Sequence, residues 1–284
     1  MSSYPEGVSI CITAYKSKKF IKECLDSITT QTWFENHDNW EVLIGVDNCQ
    51  ETLDYLLTIL PLYKNTRVFM MRKNYGTYVT SNTLMKLAKY DGLIRFDSDD
   101  TMCCDMVEKI MEQKGNADWV QFKLKNFGAN HIIAVACGQI YIKHSVFDKY
   151  GGYRPWVCSA DKEMEVRLFK TGKIFHKTIN QILLNRRVHH NNLTVAKETS
   201  YTSPLRREYN KQIMKIVIKK PEDAIIECVT GEYDEIEIPT NIDISKLPPI
   251  KPPVESYALK PTNKDRREKP LLRTNKSIRT FLEM

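Results

Sequence analysis

Along the first hundred positions, short β-branched apolar runs alternate with stretches in which apolar residues recur at helical spacing. Val8 to Thr13 is the first run, and Phe20, Ile21, Cys24, Leu25 and Ile28 then fall on one helix face. The alternation repeats with Trp40 to Val46 as strand and Thr52 to Tyr63 as helix, ended near Pro61. It repeats again with Arg67 to Met71 and the helix Val79 to Tyr90, and a fourth strand runs from Gly92 to Phe96. Strands alternating with helices build right-handed βαβ units, so the pattern predicts an α/β fold with a mostly parallel, Rossmann-like sheet flanked by helices. Ligands of such sheets bind outside the carboxyl ends of the strands, and candidate chemistry is sought there.

Beyond residue 100 the pattern is more mixed. A helix is expected over Met102 to Gln113. Strands are expected over Asp118 to Lys125 and His131 to Lys143, with a turn at Phe127-Gly128-Ala129-Asn130 between them. Ser145 to Tyr150 reads as a short helix closed by Gly151-Gly152, Asp161 to Lys170 as an amphipathic helix and Ile174 to Arg187 as further strand. Ser203 to Lys219 reads as a last helix with Pro204 in its first turn. Past Pro221 the character changes: a hairpin around Thr230-Gly231 within Ile225 to Ile238, a stiff Pro248 to Pro253 spacer and a basic tail are expected. The domain reading is therefore 1–220 for the main domain and 221–284 for a C-terminal appendage.

The net charge of +7 owes much to that tail, where Lys260, Lys264, Arg266, Arg267, Lys269, Arg273, Lys276 and Arg279 crowd together, so a nucleic-acid partner is not expected. Eight cysteines include no C-x-x-C pair, which fits idle thiols in a reducing compartment better than a zinc site. The N-terminus lacks a basic segment followed by an apolar one, and no run of about 18 apolar residues occurs. A soluble, cytoplasmic protein without a transmembrane segment is expected, with a homo-oligomer left open.

The most informative segment is Arg95-Phe96-Asp97-Ser98-Asp99-Asp100-Thr101, with three carboxylates directly after an apolar strand at the ligand-binding edge. Like charges this close call for a compensating cation, and oxygen ligands suit Mg²⁺ or Mn²⁺ completed by substrate phosphates. The competing reading is that Asp100 or Thr101 merely N-caps the helix that follows.

With this motif the chain resembles the inverting glycosyltransferases of family 2, which have the GT-A fold. Thr13-Ala14-Tyr15-Lys16 is similar to the turn after the family's first strand, with Lys16 in place of Asn, and Val46-Asp47-Asn48-Cys49 keeps the first Asp of its Asp-Asp-Gly-Ser. Asn74-Tyr75-Gly76 resembles its Asn-x-Gly, Thr80-Ser81-Asn82 its Ala-Arg-Asn, and Asp97-Ser98-Asp99-Asp100 matches in full. Further on, Ser145 to Tyr153 resembles its helix-Gly-Gly-Phe segment. Ala160 to Leu168 is similar to its Glu-Asp-x-x-x-x-x-Arg-Leu, with Ala160 for Glu, and Arg186 to Thr194 to its Arg-x-His segment. The likeness runs over roughly residues 7 to 200.

The resemblance implies a nucleotide-sugar donor, a hydroxyl or glycan acceptor and a Mn²⁺ or Mg²⁺ ion. It implies Asp161 as the base that deprotonates the acceptor, and Asp97, Asp99 and His189 around the metal, with His190 a competitor for the last place. Thr13, Ala14, Tyr15, Asp47, Asn74, Gly76, Asn82, Asp97 and Ser98 would line the nucleotide. Asp47 can accept from a pyrimidine imide N–H, which favours a UDP-sugar, and Trp156 could stack on an acceptor sugar. Rival readings are a nucleotidyltransferase, disfavoured because Thr13 to Lys19 contain no glycine, and a sugar-nucleotide binder without catalysis, raised by Asn48, Cys49 and Ala160.

Overall fold

The computed structural model describes residues 4–127, 132–133, 135–136, 138–240, 242–251 and 257–258, without the side chains of 132, 133, 257 and 258. The expected alternation forms: β1 (Val8–Ala14), α1 (Ile21–Thr29), β2 (Trp40–Val46), α2 (Gln50–Ile59), β3 (Thr66–Met71), α3 (Thr77–Leu87) and β4 (Gly92–Asp97). After these come β5 (Thr101–Met102), α4 (Met106–Lys114), β6 (Trp119–Asn126), β7 (Ile132–Ile133), β8 (Ile140–Lys143), α5 (His144–Tyr150) and α6 (Ala160–Phe169). β9 (His176–Arg186), α7 (Pro204–Met214), β10 (Tyr233–Ile236) and β11 (Tyr257–Ala258) follow among the described residues.

One sheet runs through the molecule in the order β10-β3-β2-β1-β4-β8-β6-β9-β11. Its half built from β3, β2, β1 and β4 is parallel, whereas β8 pairs antiparallel with both β4 and β6. Alternate residues of each strand feed opposite layers, as period-two side chains must. Ile10, Ile12, Ile94 and Phe96 pack with α1, α2 and α4, while Cys11, Leu43 and Leu93 pack with α3, α5 and α6. No helix among the described residues is long and apolar enough to cross a membrane.

Helix α2 ends near Pro61 as expected, stopping at Ile59 and continuing as a 3-10 turn over Leu60–Leu62, because Pro61 offers no N–H to the helix ladder. Three expectations need correction. The helix expected from Met102 begins at Met106, since Thr101 and Met102 pair with Asn185 and Leu184 of β9; Asp100 and Thr101 are therefore not its cap. The last long helix ends at Met214. In place of a hairpin near Gly231, the single strand β10 adds antiparallel to β3, with Tyr233 opposite Met71 and Ile236 opposite Val68. Gly231 permits that approach: a Cβ there would meet the Met71 methyl at 2.6 Å and the Tyr75 ring at 2.7 Å. Of the stretch expected as strand from His131, residues 131, 134 and 137 lie outside the described residues, as do residues 128–130 of the turn before it. The end of the proline-rich spacer and the basic tail from residue 259 onward also lie outside them.

The segment after residue 220 lies along the domain. Arg167 donates to the Ala224 carbonyl, Ile226 N–H to the Tyr150 carbonyl and Gly231 N–H to Thr83 Oγ1. Arg167 itself is a buried anchor of α6: it pairs with fully buried Glu163 at 2.9 Å and donates to the Tyr150 and Gly152 carbonyls, fixing the helix against the Gly151-Gly152 turn.

Asn82, expected beside the nucleotide, makes its hydrogen bonds within the same framework. Its side chain is fully buried, donates to the Tyr153 and Val229 carbonyls and accepts from the Tyr153 N–H. Asn82→Ala leaves these backbone groups unpaired and should destabilise the fold by roughly 1–3 kcal/mol. Urea unfolding measures that loss, and affinity for UDP in the folded variant should be unchanged.

Candidate active site

The carboxyl ends of β1, β2 and β4 carry the sequence-predicted residues to one edge of the sheet, as the register requires: Ala14 lies opposite Val46 and Thr13 opposite Asp97. The turn after β1 bends at Lys16, whose φ of 52° is left-handed, and leaves the Tyr15 side chain 48% exposed above the edge. Beneath it Ser17 Oγ meets Ser98 Oγ at 2.6 Å, so Ser98 is held inside the turn rather than presented to the cleft. Thr13 Oγ1 lies 2.8 Å from Thr77 Oγ1 at the start of α3, and the Ala14 carbonyl accepts from the Asp47 N–H.

Asp47 shapes the neighbouring loop. Its Oδ1 accepts from the Tyr75 N–H at 2.7 Å and from Thr80 Oγ1, and its Oδ2 accepts from the Gly76 N–H at 2.9 Å. Burial pushes its carboxyl upward, opposed by those backbone donors. Both oxygens thus fold the Asn74-Tyr75-Gly76 loop over the edge, and Asn74 stands exposed at its tip.

At the end of β4 the three carboxylates take different partners. Asp97 forms a two-point pair with buried Arg95, at 2.6 and 3.0 Å. Desolvation raises its carboxyl, opposed first by the Arg95 charge. The carboxylate expected beside a metal is thus held by a guanidinium here. Asp100 turns inward, accepting from the Arg187 N–H and from Gln139 Nε2; burial and then the Asp99 and Asp97 charges hold its carboxyl well above the usual range.

Asp99 points the other way. Its Oδ2 lies 2.8 Å from His189 Nε2 and accepts from Asn192 Nδ2 at 2.8 Å, and the Asp99 and His189 side chains are 20% and 19% exposed. The imidazole stacks on Phe20 with centroids 4.9 Å apart, and His190 makes only an edge contact with His189, so His189 is the histidine brought to the carboxylate. No group of three or more His, Cys, Asp and Glu side chains is poised around an ion among the described residues. One carboxylate and one imidazole fit a hard divalent ion of the Mn²⁺ kind, which takes most of its shell from phosphate and water.

Asp161 opens α6, reached through Ser159 in a left-handed conformation at φ 65°. Tyr78 Oη donates to Asp161 Oδ1 at 2.8 Å. Gly138, whose carbonyl accepts from Arg95 Nη1 at 2.7 Å, lies beside the second oxygen: a Cβ on it would sit 3.2 Å from both Arg95 Nη1 and Asp161 Oδ2. Asp97, Arg95 and Asp161 therefore share one cleft across Gly138. Trp156, in the loop before α6, stacks on Tyr209 of α7 with centroids 4.4 Å apart.

Sequence reasoning missed Tyr78, Thr77, Gly138, Gln139 and Asn192, and it assigned no role to Arg95. Only Arg95 carried a signal, as a charge within an otherwise apolar strand.

Residues 9–130 match the family model described as glycosyl transferase family 2. A chondroitin synthase of Escherichia coli is 26% identical over 262 residues, covering 81% of this chain and 36% of that protein, so the chain spans little more than a third of this curated relative. Among solved structures, S. aureus TarS in complex with UDP-GlcNAc superposes with a TM-score of 0.60 at 15% identity, over 76% of this chain and 69% of that one. A mannosyltransferase from Pyrobaculum calidifontis in complex with GDP-Man and Mn²⁺ superposes with a TM-score of 0.61 at 12% identity, over 78% and 67%. At these identities the two structures establish a shared GT-A-type α/β fold.

Proposed function

We propose, from the match of residues 9–130 to the glycosyl transferase family 2 model, that this chain is a glycosyltransferase of that family and moves a sugar from a nucleotide-sugar donor to an acceptor hydroxyl with inversion. The observation that carries this reading is what gathers at the end of β4: Asp99 meets His189 there, while Arg95, paired with Asp97, reaches past Gly138 to the side of Asp161.

In a single displacement the acceptor oxygen bonds to the anomeric carbon as the bond from that carbon to the diphosphate oxygen breaks. Asp161 receives the acceptor's proton and faces the cleft from the start of a rigid helix. Asp99 and His189 would hold Mn²⁺ or Mg²⁺, which supplies Lewis-acid compensation for the departing diphosphate. The exposed Tyr15 ring and the loop braced by Asp47 bound the nucleotide of a UDP-sugar donor. Trp156, backed by Tyr209, offers its indole to the acceptor sugar.

A thermal-shift panel of UDP-sugars and GDP-mannose, with and without Mn²⁺, tests the donor reading. A UDP-sugar present at 100 times its dissociation constant should add about 2.7 kcal/mol of stability, and only with Mn²⁺. A panel in which no nucleotide-sugar stabilises the protein would refute it.

A further inference from the structure

We infer that Tyr78 is a positioning residue for transfer: its phenol occupies Asp161 Oδ1 and leaves Oδ2 as the atom that accepts the acceptor's proton. The inference rests on the reading of Asp161 as the base and adds to it the choice of oxygen and the residue that makes the choice.

Tyr78 lies in the first turn of α3, 83 positions before Asp161 in sequence, and its side chain is 6% exposed. The ring packs against Tyr153 with centroids 5.4 Å apart, so the hydroxyl reaches Asp161 from a fixed direction. Burial, and next the Asp161 charge, keep the phenol protonated, so in the 2.8 Å bond it is the donor and the carboxylate the acceptor. A carboxylate held at one oxygen cannot rotate freely about χ2, and its second oxygen takes a defined place.

That place is open because position 138 is glycine. A methyl group there would come within 3.2 Å of Oδ2, the approach an acceptor oxygen needs. Arg95 reaches the same gap, with Nη1 on the Gly138 carbonyl and Nη2 on Thr77 Oγ1. The charged and titratable groups around Asp161 are Tyr78 on α3, Arg95 and Asp97 on β4, Tyr153 and Cys158 before α6, and Arg206 on α7, which donates to Ser159 Oγ. Of these, Tyr78 makes the direct hydrogen bond. In the transfer step the acceptor O–H bond breaks, its proton goes to Oδ2, the oxygen's electron pair forms the new glycosidic bond, and the bond to the donor diphosphate carries its electrons away with the leaving group.

The test is a double-mutant cycle of Tyr78→Phe and Asp161→Asn, read as nucleoside diphosphate release with the donor that stabilises the protein, together with UDP affinity in Mn²⁺. Phe keeps the packed ring and removes only the hydroxyl. Tyr78→Phe should lower kcat by about 10-fold to 10²-fold, the scale of a misplaced reacting group, and leave KM for the donor and UDP affinity within about twofold. In the Asp161→Asn background the same change should cost nothing further, because Tyr78 acts through that carboxylate. Wild-type kcat in Tyr78→Phe, or losses that multiply in the double variant, would overturn the inference and leave the base assignment standing. Wild-type transfer by Asp161→Asn, or a wild-type protein inactive on every donor, would instead overturn the reading beneath it, and the inference with it.

Discussion

Asp161→Asn should retain UDP affinity while lowering sugar transfer by roughly 10²-fold to 10⁴-fold, the range expected for loss of a general base. The substitution is nearly isosteric, and Tyr78 Oη can still donate to the amide oxygen, so α6 keeps its entry geometry. The fold does not depend on this carboxylate, because Glu163 and Arg167 anchor the helix one turn further on. A loss confined to kcat therefore reports proton acceptance rather than packing. Steady-state transfer assays beside calorimetric UDP titrations separate the two, and transfer at the wild-type rate would move the base elsewhere in the cleft.

Asp99→Ala should remove the part of UDP affinity that depends on Mn²⁺ and cost about 10²-fold or more in transfer, the scale of several kcal/mol of charge compensation. Asp99 joins the His189 ring to Asn192 at a half-buried surface, and its removal frees groups that water can satisfy. The thermal midpoint without ligand should therefore hardly move. UDP titrations with and without Mn²⁺ read the outcome directly: an identical gain from the ion in variant and wild type would exclude Asp99 as its ligand. The same titration on His189→Ala shows whether the imidazole shares that place.

The parallel half of the sheet was legible because its strands are largely buried and read as mostly apolar runs, as in Val8 to Ala14. What escaped depends on partners distant in sequence. Thr101 and Met102 suit a helix by local pattern, yet β9 offers them a ladder more than 80 positions later. Gly231 resembles a hairpin turn until Met71 and Tyr75 are seen to press against it. In the site, residue types after the strands marked Asp47, Asp97 and Asp99 correctly as edge residues, but their hydrogen-bond partners could not be read from spacing. Asp47 braces its own loop, Asp97 faces Arg95, and only Asp99 is left beside a histidine. Asn82 is the opposite case: a motif position in the middle of α3 joins two backbone segments.

Strand β10 also bears on how the protein can be cut. By pairing with β3, and with Arg67 and Arg72 bound to Glu235 and Asp234, it covers a row of backbone donors and acceptors that would otherwise face solvent. A fragment ending at residue 220 uncovers that row beside the apolar Val68 and Phe69, a surface on which another copy can add its own strand. Recombinant boundaries chosen for crystallisation should therefore fall after Ile236, since shorter fragments invite insoluble aggregates even though the cleft residues all precede the cut.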